Sequence, residues 1–229
     1  EIINTLKGKS CVIISYLEGE KTKNASNVQC KQVGNILSLL HVSTKDFHEY
    51  RENQLSYDEW NKIFHKCDSA NSSNFKKYIE IIKSELFFLK ENWPLSLPKG
   101  VIHADVFQDN VFFKNNVFAG LIDFYFSCND FLSYDIALAI NAWCFDEKNI
   151  FNKDKYKSLI EGYELNRKVT KNEMDSLSIL LRGASLRIFL TRMHDELFYE
   201  KGAFVESKNP GEYFEILKFH QQNNVKDYI

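Results

Sequence analysis

The sequence predicts an α+β fold that consists of a mainly helical lobe and a few short strands. Apolar residues recur at helical spacing over several long segments, beginning with residues 28–41 and 75–92. Near the middle of the chain, two short apolar runs flank an asparagine-rich turn, which is typical of a β-hairpin. The 229 residues are enough to bury one substantial core.

Start and stop signals delimit the predicted helices. Further helices are expected over residues 134–143 and 153–165, and Pro94 and Pro98 end the helix at 75–92. Thr170 and Glu173 form a capping box for a long helix that reaches about residue 197. Asn209 followed by Pro210 predicts the start of a last helix.

Other segments give weaker predictions. Residues 11–16 have strand composition, and residues 17–20 end that strand. Residues 44–73 are polar and predicted to be irregular, with Trp60 and Phe64 anchoring them to the core. His41 is expected to act as a cation at the C-terminal end of the first helix.

Four polar residues surround the predicted hairpin, which is expected over residues 111–113 and 117–122. His103 and Asp105 precede it, Asn110 stands where its first strand starts, and Asp123 stands where its second strand ends. Because the strands of a hairpin lie side by side, the oxygens of Asn110 and Asp123 are expected to face one metal ion.

This pattern predicts transfer of the γ-phosphoryl group of ATP. That chemistry needs a carboxylate to accept the proton of the attacking hydroxyl, which fits Asp105, and oxygen ligands for Mg²⁺, which fit Asn110 and Asp123. His103 is expected to orient the loop. An isolated His-x-Asp followed by an asparagine also arises by chance. The prediction therefore depends on the motif and the predicted hairpin occurring together.

The segment resembles the aminoglycoside phosphotransferase and choline kinase superfamily, whose fold is similar to that of the protein kinases. The superfamily motif H-x-D-x-x-x-x-N matches from His103 to Asn110, and its I-D-F motif matches at Asp123. The resemblance implies a protein-kinase-like α+β fold, a buried Asp135 that hydrogen-bonds the catalytic loop, and adenine contacts near Ser15, Tyr16 and Leu17.

Longer strings resemble one branch of that superfamily, the bacterial homoserine kinases. They are residues 123–130, 134–137, 141–144 and 186–192, with Lys208-Asn209-Pro210 before the last helix. This resemblance implies phosphorylation of the L-homoserine hydroxyl to O-phospho-L-homoserine in threonine biosynthesis. Choline, ethanolamine, a sugar or an aminoglycoside remain alternative acceptors.

The start of the chain departs from the superfamily pattern. Residues 1–19 are expected to supply only the last strands of an N-terminal sheet lobe and the hinge, and residues 20–229 the helical catalytic lobe. Neither Lys7 nor Lys9 lies on an apolar strand, so neither is assigned as the phosphate-binding lysine. The sequence is therefore expected to be a fragment; a nucleotide-binding module without catalysis is the alternative.

The arginines of the predicted long helix are candidates for binding the acceptor. Arg187 lies within an apolar run, and a semi-buried arginine needs an anionic partner, which is either a substrate carboxylate or a protein carboxylate. Arg192 is a second candidate. Tyr125, just after the metal-binding aspartate, is expected to line the same pocket.

Composition bounds the remaining possibilities. A net charge of −2 does not favour binding to nucleic acid, and no apolar run is long enough to predict a membrane span. Five cysteines without a CxxC pair are typical of free thiols in the cytoplasm.

Overall fold

The computed structural model describes residues 3–198 and 208–224. In these residues the helices are α1 (Asn27–Ser43), α2 (Tyr57–Ser69), α3 (Ser73–Lys76), α4 (Ile79–Asn92), α5 (Leu132–Trp143), α6 (Lys153–Tyr163), α7 (Lys171–Leu197) and α8 (Pro210–Gln222). The strands are β1 (Asn4–Leu6), β2 (Lys9–Cys11), β3 (Lys99–Ile102), β4 (Val111–Lys114), β5 (Val117–Leu121) and β6 (Cys128–Phe131). The predicted mainly helical α+β architecture is confirmed.

The core of the molecule is built around α7, which packs against α2, α4, α5 and α8. Helix α5 is buried along nearly its whole length, because it lies between α7 on one side and α1 and β3 on the other. Its mostly apolar sequence suits this central position, since both faces of the helix are withdrawn from water.

Helices α1 and α6 approach each other closely through two glycines. A Cβ atom at Gly34 of α1 would lie 2.0 Å from the carbonyl oxygen of Leu159, and one at Gly162 of α6 would lie 1.9 Å from that of Lys31. No side chain fits at such distances. The two glycines therefore allow these helix backbones to pack in direct contact.

The strands form three antiparallel pairs, β1 with β2, β3 with β6, and β4 with β5. The β4–β5 hairpin turns at Asn115 and Asn116, which both have positive φ (53° and 62°). Asparagine tolerates this left-handed conformation, and two such residues in a two-residue turn match the twist of the flanking strands. The hairpin prediction is confirmed.

Most helix predictions are confirmed, including both helix starts at Thr170 and Asn209. The helix predicted over 75–92 is interrupted between α3 and α4. The prediction of an irregular segment at 44–73 is wrong for residues 57–69, which form α2. Its buried anchors, Trp60 and Phe64, are the ones predicted.

The strand predicted over residues 11–16 is also wrong. Only Cys11 belongs to a strand, and residues 12–16 have no neighbouring strand among the described residues. A strand needs hydrogen-bonded partners for its backbone, and β-branched composition cannot replace them. Ile13 and Ile14 are consequently 93% and 78% exposed. None of the described helices combines the length and apolar character that a membrane span needs.

Candidate active site

The loop from β3 to β4 carries the predicted catalytic residues and contains a strained residue. Ala104 has a φ of 63°, a left-handed conformation that is uncommon for residues other than glycine. Its N–H donates to Oδ1 of Asp135 at 2.8 Å, and its carbonyl accepts from Nη1 of Arg187 at 2.6 Å. These two contacts hold the loop in a shape that it would not adopt by itself.

Asp135, in the first turn of α5, is fully buried. Its carboxylate accepts the N–H groups of His103 and Ala104, both at 2.8 Å, and lies 3.1 Å from Nε2 of His41. Burial raises the pKa of Asp135, but the hydrogen bonds from His41 and the loop outweigh it and leave the pKa below its usual range.

The expected role of His41 at the end of α1 is wrong. Its side chain turns into the core, where Nδ1 lies 2.7 Å from the hydroxyl of Tyr163. The network continues to Arg167, which donates to Tyr163 and to both oxygens of Glu173, the partner of Thr170 in the capping box of α7. Buried polar groups need partners, and this chain of contacts supplies them across α1, α5, α6 and α7.

His103 is completely buried under the loop. Its Nδ1 accepts the N–H of Asp105 at 3.2 Å, and its Nε2 lies 3.0 Å from the carbonyl of Ile122. Its ring packs edge-on against Phe124. Both ring nitrogens are thus engaged by the main chain, and the side chain ties the loop to the end of the hairpin.

Asp105 and Asn110 are in direct contact. Nδ2 of Asn110 donates to Oδ2 of Asp105 at 3.0 Å and to its main-chain carbonyl at 2.9 Å. Burial raises the pKa of Asp105, while the positive charge of Arg187 and the hydrogen bond from Asn110 oppose that rise without cancelling it. A carboxylate in this setting is a stronger base than one in water.

Asn110 and Asp123 lie at the open end of the hairpin. Val111 pairs with Leu121, and the N–H of Ile122, next to Asp123, donates to the carbonyl of Asn110 at 2.9 Å. Asp123 is exposed and left-handed, with a φ of 66°. The strand pairing therefore brings these two predicted metal ligands to the same place.

This donor set fits a hard cation such as Mg²⁺. Both side-chain hydrogen bonds of Asn110 to described residues are donated by Nδ2, which leaves the amide oxygen to face a ligand. Within residues 3–198 and 208–224, no cluster of three or more histidine, cysteine or acidic side chains could hold a metal alone. A carboxylate and an amide suit Mg²⁺, which completes its shell with water and phosphate oxygens.

A cleft of about 470 Å³ opens beside this loop. Arg187, Tyr125, Phe126 and Cys128 line one part of it, and residues 51–55 line another. Burial raises the pKa of the Cys128 thiol to about 12, with the charges of Asp130 and Asp135 adding to the effect, so the thiol stays protonated. As predicted, all five cysteines are free.

Arg187 is 2% exposed, yet its Nε has no hydrogen-bond partner. In the described part of the chain, no carboxylate oxygen lies within 4.0 Å of the Arg187 guanidinium, the distance that defines an ion pair. An internal ion pair was one of two expected explanations for this arginine, and the described residues do not supply one. The guanidinium is a buried charge at the edge of the cleft.

Arg192 lies elsewhere. Its guanidinium is 2.5 Å from Glu212 and stacks over Tyr213, beside a different cavity that Lys208 and Asp109 also line. The structure thus brings Arg187 and Tyr125 to one cleft and does not bring Arg192 there.

The segment predicted to contact adenine runs beside the hairpin. The side chain of Leu17 packs on β5, where a Cβ at Gly120 would lie 2.5 Å from it. Glu20 exchanges two main-chain hydrogen bonds with Phe113 of β4, at 2.8 and 2.9 Å. Ser15 and Tyr16 are exposed next to these contacts.

Comparison with known proteins identifies the family. Residues 1–165 match the model of the phosphotransferase enzyme family. The chain is 43% identical to homoserine kinase of Bartonella tribocorum, with 97% of this chain and 70% of that protein covered. It is 42% identical to homoserine kinase of Agrobacterium fabrum, with 100% and 71% covered.

The chain belongs to the phosphotransferase enzyme family, among the homoserine kinases. It is therefore a small-molecule kinase, and membership implies ATP and a divalent metal ion.

Solved structures show the fold of this family. The chain matches an ethanolamine kinase of Plasmodium vivax with a TM-score of 0.67 at 14% identity, covering 99% of this chain and 68% of that one. It matches a choline kinase of Streptococcus pneumoniae with a TM-score of 0.61 at 14% identity, covering 93% and 70%. The predicted protein-kinase-like fold is confirmed.

Two groups of residues at this site were not predicted. His41 contacts the carboxylate of Asp135, and Tyr163 contacts His41 in turn. These contacts join helices that are distant in sequence. Arg51 and Asn53 lie in the segment predicted to be irregular and reach the site only through pairing with β6. Neither group forms a motif that the sequence would reveal.

Proposed function

We propose that this chain transfers the γ-phosphoryl group of ATP, with Mg²⁺, to the side-chain hydroxyl of L-homoserine. The product is O-phospho-L-homoserine, a step of threonine biosynthesis in the cytoplasm. The names of the similar homoserine kinases support this substrate. The chemistry of the cleft supports it independently.

The observation that carries the proposal is the buried, unpaired charge of Arg187. A charged group so withdrawn from water is costly unless it meets an opposite charge. A substrate carboxylate in the cleft supplies that charge and makes the charge-assisted hydrogen bonds that the guanidinium lacks. This favours an amino-acid acceptor over choline or ethanolamine, which carry a cationic nitrogen but no carboxylate.

Asp105 acts as the general base. It accepts the proton of the homoserine hydroxyl as the new bond forms between that oxygen and the γ-phosphorus. The bond from the γ-phosphorus to the β,γ-bridging oxygen breaks, and ADP leaves with the electron pair. Asn110 orients Asp105 through its Nδ2 and directs its own oxygen towards the metal ion.

Asn110 and Asp123 hold the Mg²⁺. Held there, the ion would supply positive charge to offset the negative charge that develops on the transferred phosphoryl group. His103 and Asp135 hold the loop that carries Asp105.

The nucleotide lies along the hairpin in this proposal. The main chain near Ser15, Tyr16 and Leu17 contacts adenine at one end, and the phosphates reach Asp123 at the other. Contacts of Leu17 with β5 and of Glu20 with β4 support this path. Residues 1–19 then form the hinge and the last part of a sheet lobe, and residues 20–229 form the catalytic lobe.

A coupled assay of ADP release tests the proposal in the full-length natural protein. L-Homoserine, choline, ethanolamine and an aminoglycoside are compared as acceptors with Mg-ATP. We expect turnover with L-homoserine and a loss of kcat of at least about a thousandfold in Asp105→Asn, because the base is removed while the shape is kept.

Two outcomes would contradict the proposal in different ways. Turnover with another alcohol only would keep the reaction and exclude homoserine as the acceptor. Nucleotide binding without turnover on any acceptor would favour a non-catalytic binding module.

A further inference from the structure

The five arginines of the chain fall into two groups. Arg167, Arg182 and Arg192 each pair with a glutamate, at distances of 2.8, 2.6 and 2.5 Å. For Arg51 and Arg187, no acidic side chain among the described residues is within ion-pair distance. Both unpaired arginines line the same cleft. Glu52 and Glu59 also line this cleft, but among the described residues neither is within ion-pair distance of either guanidinium. An anionic group of the ligand can therefore pair with both arginines.

Arg51 is exposed, but its backbone is firmly placed on β6. Its N–H donates to Oδ1 of Asn129 at 2.9 Å, and its carbonyl accepts the N–H of Asn129 at 2.7 Å. Two residues on, Nδ2 of Asn53 donates to Asp130 at 2.7 Å. These bonds attach the segment after α1 to β6, which begins five residues after Asp123, the proposed metal ligand.

The side chain of Arg51 is directed by a further contact. Its Nη1 donates to the carbonyl of Tyr125 at 2.6 Å, and its guanidinium lies 5.8 Å from the centre of the Tyr125 ring. A guanidinium has five N–H donors, and this bond uses one of them. The remaining donors are available to a ligand in the cleft.

We propose that Arg51 is a specificity-determining residue that binds the carboxylate of the amino-acid acceptor together with Arg187. Arg187 contributes a buried charge from α7, and Arg51 a charge from the exposed segment that lines the cleft. A carboxylate has enough lone pairs to accept from both. The inference rests on the proposed function and adds to it a residue outside the family motifs described above.

The test separates recognition of the carboxylate from general effects on the loop. Kinetics with L-homoserine are compared with those of 3-aminopropan-1-ol, which has the same amine and hydroxyl but no carboxylate. In Arg51→Gln we expect kcat/KM for L-homoserine to fall about 10- to 100-fold, mainly through KM, as for loss of a charged hydrogen bond. For 3-aminopropan-1-ol we expect a change of less than about twofold.

Lys45→Gln is the matched control. Lys45 lies in the same segment after α1 and is exposed, but does not line the cleft. The Lys45→Gln substitution also removes one positive charge, but not from a residue proposed to bind the acceptor carboxylate. Both acceptors should therefore keep their wild-type kinetics.

Three results would overturn the inference. Equal losses on both acceptors in Arg51→Gln would show a structural role, and unchanged kinetics would show no role. In both cases the wild-type protein still phosphorylates L-homoserine, so the proposed function stands. A wild-type protein that phosphorylates other alcohols but not L-homoserine would overturn both.

Discussion

The side-chain amide nitrogen of Asn110 donates two hydrogen bonds to Asp105, one to the carboxylate at 3.0 Å and one to the main-chain carbonyl at 2.9 Å. The proposed base and a proposed metal ligand are thus one hydrogen-bonded unit. The amide nitrogen orients the carboxylate, while the amide oxygen remains for the cation. The two functions of Asn110 can be separated by substitution.

Asn110→Ala should raise the Mg²⁺ concentration needed for half-maximal activity by about tenfold or more, because a metal ligand is lost. Asn110→Asp keeps an oxygen ligand but loses the donor to Asp105. We expect it to restore much of the Mg²⁺ affinity while kcat stays low. Initial rates measured against free Mg²⁺ at fixed ATP test both. An unchanged Mg²⁺ dependence in Asn110→Ala would exclude it as a ligand.

The pH dependence of turnover should respond to Arg187. Burial raises the pKa of Asp105 and the positive charge of Arg187 opposes that rise, so removing the charge raises the pKa further. Because the base acts in its ionised form, the acid limb of the kcat profile should move to higher pH in Arg187→Gln. Arg187→Lys keeps the charge and is the control, with the limb near its wild-type position.

These profiles are measured at saturating L-homoserine, so that weaker binding does not distort them. A limb that stays in place or moves to lower pH in Arg187→Gln would show that the arginine does not act on the base.

Acid stability should depend on Asp135. Its folded pKa lies below its unfolded value of about 3.9, so its ionised form stabilises the fold above that pH. This contribution is lost as the pH falls through the folded pKa. Asp135→Asn should lower the free energy of unfolding at pH 7 by about 3 kcal/mol, because a buried network loses its charge.

Urea unfolding at pH 7 and below pH 4 measures this effect. The difference between Asp135→Asn and the wild type should shrink in acid. Asp46→Asn, an exposed substitution, should match the wild type at both pH values. A difference that grows on acidification would contradict the assigned direction of the pKa shift.

Gly34 and Gly162 should each be sensitive to the addition of one methyl group. An alanine at either position would place Cβ about 2 Å from a carbonyl oxygen of the facing helix, so the helices must separate. We expect each substitution to lower the free energy of unfolding by about 3 kcal/mol or more. Lys157→Ala, on the exposed side of α6, should change it by less than about 0.5 kcal/mol.

Denaturant unfolding of the three variants tests this packing. A Gly34→Ala or Gly162→Ala variant as stable as Lys157→Ala would mean that α1 and α6 can separate at little cost.

Much of the proposed site could be predicted because its residues are close in sequence. His103, Asp105, Asn110 and Asp123 lie within 21 positions, and a two-residue asparagine turn determines how the strands between them pair. Local rules suffice there, since turn geometry sets the register of a hairpin. The capping box at Thr170 similarly placed the start of α7.

Other parts of the site depend on contacts between distant segments. Arg51 has no periodic or motif signal, and it reaches the cleft because its backbone pairs with Asn129, 78 positions away. His41 was assigned to a helix end, but burial turns it towards Asp135, 94 positions away. The strand expected at residues 11–16 is absent because strand formation requires a partner that composition cannot provide.

The sequence by itself determined most of the helices, the hairpin and the set of residues proposed for phosphoryl transfer, because each depends on spacing, capping or turn chemistry within a few residues. The tertiary structure decided which arginines are paired. Arg182 meets Glu85 and Arg192 meets Glu212, whereas Arg187 meets a main-chain carbonyl at the edge of a cleft. Whether a buried charge has a partner depends on which distant side chains pack against it, and only the folded chain determines that.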